Sequence, residues 1–145
     1  AVIDNETGAR LKTYVDTCIH CGLCSEACHF YLSHEKDPHY SPVGKVKQTI
    51  WEMVKKKGKV SPEFIKNACE IASTECNVCK RCAMYCPFGI DIAYMMLVVR
   101  RICHLLGVTP LYIQDTAHSH SVREAHMPRF RRTGRPQPPT SVRSG

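Results

Sequence analysis

The sequence has little that would anchor the chain in a membrane or carry it out of the cell. Its longest apolar run, residues 92–99, is eight residues long, whereas about 20 are needed to cross a bilayer. Residues 1–10 are polar and lack the apolar core of a signal peptide. We therefore expect a cytoplasmic protein, and docking at the inner membrane through a membrane-bound partner stays open.

The motifs of common catalytic sites are also missing. There is no glycine-rich dinucleotide loop after a strand and no G-x-S-x-G motif. No segment alternates apolar and polar residues over the length of a β-strand. These absences favour a helical protein without a catalytic site of its own, in which a bound cofactor supplies the chemistry.

Acidic residues are few: 13 Asp and Glu stand against 20 Lys and Arg, a net charge of +7. Residues 121–145 hold six Arg and one Glu, whereas residues 1–120 hold 14 basic and 12 acidic side chains. Because the last stretch is also rich in proline and has almost nothing to bury, we expect a domain at 1–120 and an extended tail at 121–145. A partner-binding or idle tail is favoured over contact with nucleic acid or acidic lipid.

Cysteine is what the sequence has in excess. Ten are present, and eight of them form two runs with the spacing C-x2-C-x2-C-x3-C. This spacing is typical of ferredoxins with cubane iron–sulfur clusters. In a chain without an export signal, dense cysteine indicates metal binding rather than disulfides. The first run is Cys18, Cys21, Cys24 and Cys28, and the second is Cys76, Cys79, Cys82 and Cys86, followed by Pro87.

The spacing also predicts how the ligands are shared between two [4Fe–4S] clusters. Thiols at the first three positions of a curled loop reach one cluster, and the extra residue before the fourth carries that thiol to the other cluster. We expect the first cluster to be held by Cys18, Cys21, Cys24 and Cys86. We expect the second to be held by Cys76, Cys79, Cys82 and Cys28.

Zinc is the main alternative, in the form of a zinc-stapled adaptor whose basic tail binds nucleic acid. A four-cysteine zinc site uses two C-x2-C pairs and has no role for a third cysteine three residues on, so two complete runs disfavour it. Haem attachment needs C-x-x-C-H, which Cys24, Cys28 and His29 do not form. Cys69 and Cys103 lie on apolar helix faces, where we expect buried, inert thiols.

Lys80 and Arg81 lie between ligands of the second run. They are interpreted in three ways that the sequence does not separate: tuning of the cluster potential, docking of an acidic partner, or an ordinary solvated loop.

The apolar spacing predicts helices at about residues 8–16, 42–57, 61–73, 91–106 and 110–117. Ser61 and Asp91 are the expected N-caps of two of them. In the second helix the apolar stripe is Val46, Ile50, Met53 and Val54, and we expect Lys45, Lys47, Lys55 and Lys56 largely off it. The 47 residues between the runs are too many for a compact β-containing ferredoxin. The predicted fold is all-α, an α-helical ferredoxin with two irregular cluster-binding loops.

The residues around the cysteines resemble the heterodisulfide reductase C family of iron–sulfur proteins. Within it, the chain is most similar to dicluster domains of iron–sulfur subunits in sulfur-metabolising membrane complexes. The likeness covers about residues 10–120 and is carried by residues 18–31, 86–93, 99–110 and 114–120. His29 departs from the proline common after the fourth cysteine. Relatives of the membrane-complex kind often continue into a fused catalytic domain, and we expect that part to be either a separate chain or absent from a shortened form that only relays electrons.

The resemblance implies an electron-transfer iron–sulfur subunit of a multi-subunit oxidoreductase. Its implied partners are a catalytic subunit of the heterodisulfide reductase B type and either a flavoprotein or a membrane haem b subunit that exchanges electrons with quinone. The alternatives are a free-standing soluble ferredoxin and the iron–sulfur arm of a dehydrogenase.

Overall fold

All the regular secondary structure in the described part of the chain is helical. The computed structural model describes the backbone of residues 5–126 and the side chains of residues 5–120, and this part contains no β-strand. The predicted all-α fold is confirmed. The helices are α1 (Asn5–Thr17), α2 (Leu23–Glu26), α3 (His29–Ser33), α4 (Pro42–Val46), α5 (Glu52–Lys55), α6 (Pro62–Thr74), α7 (Arg81–Met84), α8 (Ile92–Leu105) and α9 (Leu111–His126). A 3-10 turn covers Pro38–Tyr40, and a π-helical turn, Lys47–Trp51, joins α4 to α5.

The core lies between α6 and α8, which pack along each other, and the π-helical turn contacts both. Its largest fully buried side chains include Leu11, Ile50, Met95, Met96 and Val99. Cys69 and Cys103 are buried in the same core, as expected. Burial, together with the neighbouring Cys69, raises the pKa of the Cys103 thiol, so that this thiol stays protonated.

Both expected N-caps are present. The Phe64 amide donates to Ser61 Oγ at 3.2 Å, and the Tyr94 amide donates to Asp91 Oδ1 at 2.8 Å. These bonds satisfy amides that have no partner in the first turn and so set where α6 and α8 begin. Because α6 ends at Thr74 and α8 begins at Ile92, the packed pair holds both ends of the second cysteine run.

The helix expected at residues 42–57 is present as α4, the π-helical turn and α5, and its stripe of Val46, Ile50 and Met53 is buried. The expectation that Lys45 lies off the buried face is wrong, because this side chain is only 2% exposed. Its neighbours come from α3 and from the residue before Cys76, which are far from Lys45 in sequence. The helical periodicity of a sequence does not reveal contacts with residues that are distant along the chain.

The chain divides into two compact units between Pro110 and Leu111, earlier than the boundary expected after residue 120. The second unit begins with α9. Of the helices described, none is long and apolar enough to cross a membrane.

The last helix is longer than expected. We expect it to end near residue 117, but α9 continues through His126. Residues 121–126 are therefore helical where the sequence predicts an extended tail, and that part of the prediction is wrong. The reason is local: no proline or glycine stands between Pro110 and Pro128 to end the helix. The rest of the predicted tail, residues 127–145, lies outside the described residues.

Candidate metal centre

The first cysteine run is a loop with two left-handed residues. His20 has φ 57° and Gly22 has φ 82°, a conformation that turns the chain back within a few residues. Gly22 precedes α2, where the Ser25 amide donates to the Gly22 carbonyl at 2.8 Å. The chain is thus tightly curled between Cys18 and Cys24.

The second run repeats this backbone shape residue for residue. The matching positions are Val78, with φ 58°, and Lys80, with φ 62°. Lys80 precedes α7, where the Ala83 amide donates to the Lys80 carbonyl at 3.0 Å. The sequence repeat is therefore also a structural repeat. A β-branched residue such as Val78 rarely adopts positive φ, so this loop is held in a strained conformation.

The eight cysteines of the runs border two neighbouring cavities. Including their mouths toward solvent, the cavities measure about 340 and 390 Å³. Ile92, the first residue of α8, lines both of them. The first cavity is lined by Cys18, Cys21, Cys24 and Cys86, and the second by Cys28, Cys76, Cys79 and Cys82. Each cavity therefore brings together three cysteines of one run and the fourth of the other, which are the groups expected from the spacing. That these thiols bind iron in these sets stays a prediction.

Burial and thiols of the same set raise the pKa values of Cys24 and Cys82, and Cys82 is also affected by a thiol of the other set. Burial, followed by the effects of Cys18 and other thiols of the first set, raises the pKa of Cys24 to about 11. Burial, then Cys76, then Cys24 raise the pKa of Cys82 to about 12. Cys24 acts on Cys82 across the two sets, and α2 and α7, the short helices that carry these two cysteines, contact each other.

The donor set fits an iron–sulfur cluster. Thiols with raised pKa values are protonated near neutral pH, and forming four thiolates around one small cavity requires positive charge to compensate them. Iron cations supply that charge and displace the protons when they bind. Within the described residues, no three His, Cys, Asp or Glu side chains meet closely enough to hold a single metal ion. The thiols instead surround a space.

The first cavity has mostly apolar surroundings, formed by Val43, Phe88 and Ile90 among others. His20 also lines it, and its ring lies 4.9 Å from the ring of Trp51. Burial, with smaller effects from Lys47 and Lys55, lowers the pKa of His20. The imidazole is therefore neutral at neutral pH and brings no charge to this cavity.

The second cavity is lined by three basic side chains, Lys45, Lys80 and Arg81. Lys80 is mostly exposed, and its Nζ lies 3.9 Å from Asp91 Oδ2. The structure thus brings Lys80 and Arg81 to the cavity, and which of their three interpretations applies stays open. Lys45, the buried member of the group, is a residue that sequence reasoning missed.

Arg100 is a second residue near the site that sequence reasoning missed. From α8 its Nε donates to the Ala72 carbonyl at 2.8 Å, and its Nη2 donates to the Cys76 carbonyl. The guanidinium thereby fixes the backbone where the second run begins. No sequence signal separates Arg100 from the exposed Arg101 beside it.

Comparison with known proteins agrees with this geometry. Residues 14–90, slightly more than half of the chain and including all eight cysteines, match the family described as the 4Fe-4S dicluster domain. No solved structure matches.

Two curated relatives are similar along most of the chain. The "Hdr-like menaquinol oxidoreductase iron-sulfur subunit 2" of Archaeoglobus fulgidus is 24% identical over 134 residues, which is 84% of this chain and 24% of the relative. The "Hdr-like menaquinol oxidoreductase iron-sulfur subunit" of Archaeoglobus profundus is 26% identical over 120 residues, which is 74% of this chain and 21% of the relative. The chain thus spans about a quarter of the length of these relatives or less.

Proposed function

This chain belongs to the 4Fe-4S dicluster domain family, and on that premise we propose that it relays single electrons between redox centres of partner chains. The observation that carries the proposal is the pair of neighbouring cavities, each bordered by four cysteine thiols. When bound, each [4Fe–4S] cluster takes up and gives up one electron. The chain's own residues hold the clusters, separate them and set their surroundings.

We assign the ligands in the crossed sets. The cluster in the first cavity is held by Cys18, Cys21, Cys24 and Cys86, and that in the second by Cys76, Cys79, Cys82 and Cys28. Support comes from the cavity linings, since each cavity is bordered by three cysteines of one run and the fourth of the other. Because each set takes one cysteine from the other run, the two clusters tie together segments of chain that are far apart in sequence.

The exposure of the cysteines supports a relay with two ends. The second cysteine of each run, Cys21 or Cys79, is exposed. Of the third cysteines, Cys24 is buried and Cys82 is half-buried, and the helices that carry them, α2 and α7, contact each other. Each cavity therefore has one side that faces solvent, where an electron can be exchanged with a partner, and a short path connects the two cavities. A relay between two partner centres requires both features.

The first cavity has an apolar rim that suits contact with another protein. Ile19 and Phe88 line this cavity and are 65% and 48% exposed. Exposed apolar side chains at the edge of a redox site are typical of a docking surface, because covering them excludes water from the path of the electron. A redox partner that seats on Ile19 and Phe88 would bring its own centre close to Cys21.

We infer that the partners belong to one complex. The relatives are named as subunits of a menaquinol oxidoreductase, and the resemblance to the heterodisulfide reductase C family implies a catalytic subunit of the B type and a flavoprotein or membrane haem b subunit. On this proposal the chain works on the cytoplasmic side and reaches the inner membrane through a partner.

The test is the metal and sulfide content of the protein purified without oxygen. We expect about eight iron and eight acid-labile sulfide per chain, and uptake of two electrons on full reduction. Cys69→Ala is the control, since Cys69 is buried in α6 and lines neither cavity; it should keep the full iron content. Two zinc ions and no sulfide would contradict the proposal. A partner chain that co-purifies would identify the complex.

A further inference from the structure

Lys45 is a buried lysine at the second cavity. Its side chain is 2% exposed, and its Nζ donates to the Glu75 carbonyl and lies 3.9 Å from Cys28 Sγ. The same Nζ is 4.6 Å from the centroid of the Phe30 ring. Three kinds of group therefore surround this ammonium: a peptide carbonyl, an aromatic face and a cysteine thiol.

A buried ammonium is costly unless negative charge lies beside it. Among the described residues, the ion pairs found do not include Lys45. The Glu75 carboxylate pairs with His39 at 3.0 Å. The carbonyl and the ring compensate part of the charge of Lys45. The other Glu75 carboxylate oxygen, Oε2, is buried with no hydrogen-bond partner in the described part of the chain and forms no ion pair with Lys45. The thiol in contact with the Lys45 ammonium is Cys28, so thiolates and cluster in the second cavity are the negative charge that lies directly beside it.

We propose that Lys45 sets the reduction potential of the cluster in the second cavity and makes it the higher of the two. This inference rests on the proposed function, because it needs clusters in both cavities. A fixed positive charge beside a ligand sulfur stabilises the reduced cluster, which carries one more negative charge than the oxidised form. One electron would then pass from the first cluster to the second. The transfer oxidises the first cluster and reduces the second, and no bond is broken and no proton is transferred.

The other basic residues at this cavity are less suited to that role. Lys80 has a side chain that is 63% exposed and lies near Asp91, and Arg81 is exposed. Water and the neighbouring carboxylate weaken the field of an exposed charge, whereas a buried charge is screened much less. The second cavity thus has a buried cation of its own, whereas no lysine or arginine among the described residues lines the first.

The local fold holds Lys45 in place. The Thr49 hydroxyl, which is fully buried, donates to the Lys45 carbonyl at 2.7 Å. On the other side, Gly44 lets the helix approach the 3-10 turn, since a Cβ there would lie 2.1 Å from the Pro38 carbonyl oxygen. With the backbone fixed on both sides, the ammonium stays near Cys28 in both redox states. Because the ammonium does not have to move when the cluster is reduced, its positive charge stabilises the reduced cluster without a cost of rearrangement.

The experiment is a redox titration of the purified two-cluster protein, followed by electron paramagnetic resonance, for the unmodified chain and Lys45→Met. Methionine keeps most of the length of the side chain and removes the charge. We expect the equilibrium constant for reduction of the second cluster to fall about tenfold or more, and a tenfold change is 59 mV for a one-electron couple. Lys59→Met, which removes a charge from an exposed lysine, should leave both potentials unchanged.

The cluster that responds is identified in two ligand variants. Cys21→Ser should leave mainly the second cluster and Cys79→Ser mainly the first, so adding Lys45→Met should lower the potential only in the Cys21→Ser protein. No shift there, or a shift only in the Cys79→Ser protein, overturns the proposal. Iron and sulfide content reports separately on the proposed function, because a chain that holds no clusters fails that test first.

A second variant covers the case in which Lys45→Met loses iron. Lys45→Arg keeps a positive charge at the cavity, so we expect it to retain the second cluster and its potential to within a few-fold in the equilibrium constant. If Lys45→Met and Lys45→Arg lose the second cluster alike, the cavity needs the shape of lysine rather than its charge, and the proposal is wrong.

Discussion

The two cysteine runs have the same spacing and the same backbone shape, yet their cavities differ in charge. Among the described residues, no Lys or Arg lines the first cavity, whereas Lys45, Lys80 and Arg81 line the second. The repeat thus builds two equivalent sets of thiols, and residues outside the repeat make them electrostatically unequal. Two clusters of one type can then have different potentials, which gives a relay its direction.

The runs also differ in the strain of their loops. At the residue before the short helix, the first run has Gly22 and the second has Lys80, both with positive φ. A residue with a Cβ costs about 1–2 kcal/mol in this conformation. The second run has a compensating contact in Arg100, which binds its first carbonyl from α8. The less favourable loop is therefore one that α8 holds by a side-chain bond to its backbone.

The largest effect is expected from a substitution that removes a cysteine shared between the two runs. We expect Cys86→Ser to lose about four of the eight iron atoms per chain. Adding Cys21→Ser should lower the iron content little further, because both residues are assigned to the first cluster. Adding Cys79→Ser instead should remove nearly all the iron, because that residue serves the other cluster. The opposite result for the two double variants would show that each run keeps its own fourth cysteine.

Next in size is the effect of Gly44→Ala on the second cavity. The new Cβ would lie 2.1 Å from the Pro38 carbonyl oxygen and 2.9 Å from Ser41 Oγ, so the helix must shift away from the turn. We expect the free energy of unfolding to fall by about 3 kcal/mol, measured by anaerobic chemical unfolding. The second cluster should be lost before the first. Gly8→Ala is the control: a Cβ there meets nothing within 4 Å, and in a helix it stabilises by about 0.5–1 kcal/mol.

Arg100→Met should weaken the second run without touching the first. It removes the bonds to the Ala72 and Cys76 carbonyls, and we expect a loss of about 1.5–3 kcal/mol in the free energy of unfolding. The neighbouring Arg101 is exposed, so Arg101→Met should change it by less than about 0.5 kcal/mol. Equal effects of the two substitutions would mean that the contacts of Arg100 contribute nothing.

The smallest effects are expected from substitutions at the two residues that distinguish the loops. Gly22→Ala should lower the free energy of unfolding by about 1 kcal/mol, because alanine is strained at φ 82°. Lys80→Gly should raise it by less, since glycine also adds entropy to the unfolded chain. Both are measured by the same anaerobic unfolding. If Gly22→Ala stabilises the protein, the first loop does not need its left-handed residue.

Much of the fold could be predicted because its signals are local. Ser61 and Asp91 cap helices through bonds to residues three positions on, and the stripe of Val46, Ile50 and Met53 follows from helical periodicity. The end of α9 was missed although its signal is local: no proline or glycine stands between Pro110 and Pro128 to end the helix. The cysteine spacing predicted two groups of four thiols, and in the structure each of the two cavities is lined by one of these groups.

What surrounds those groups could not be predicted, because it depends on contacts between distant segments. Lys45 has the pattern of a solvent-facing lysine, and only the packing of Phe30 and the Glu75 carbonyl around it makes it a buried charge. Arg100 is indistinguishable from Arg101 until α8 packs against the end of α6. The ligands of a cluster can thus be predicted from the cysteine spacing, whereas the groups that surround the cluster and affect its reduction potential are known only from the tertiary structure.

The most direct test of the account is the electron paramagnetic resonance spectrum of the fully reduced protein at low temperature. Two [4Fe–4S] clusters in neighbouring cavities should give two S = 1/2 centres whose spins interact, with a spectrum broadened by that coupling and an integrated intensity of about two spins per chain. A single uncoupled signal that integrates to one spin per chain would contradict the relay.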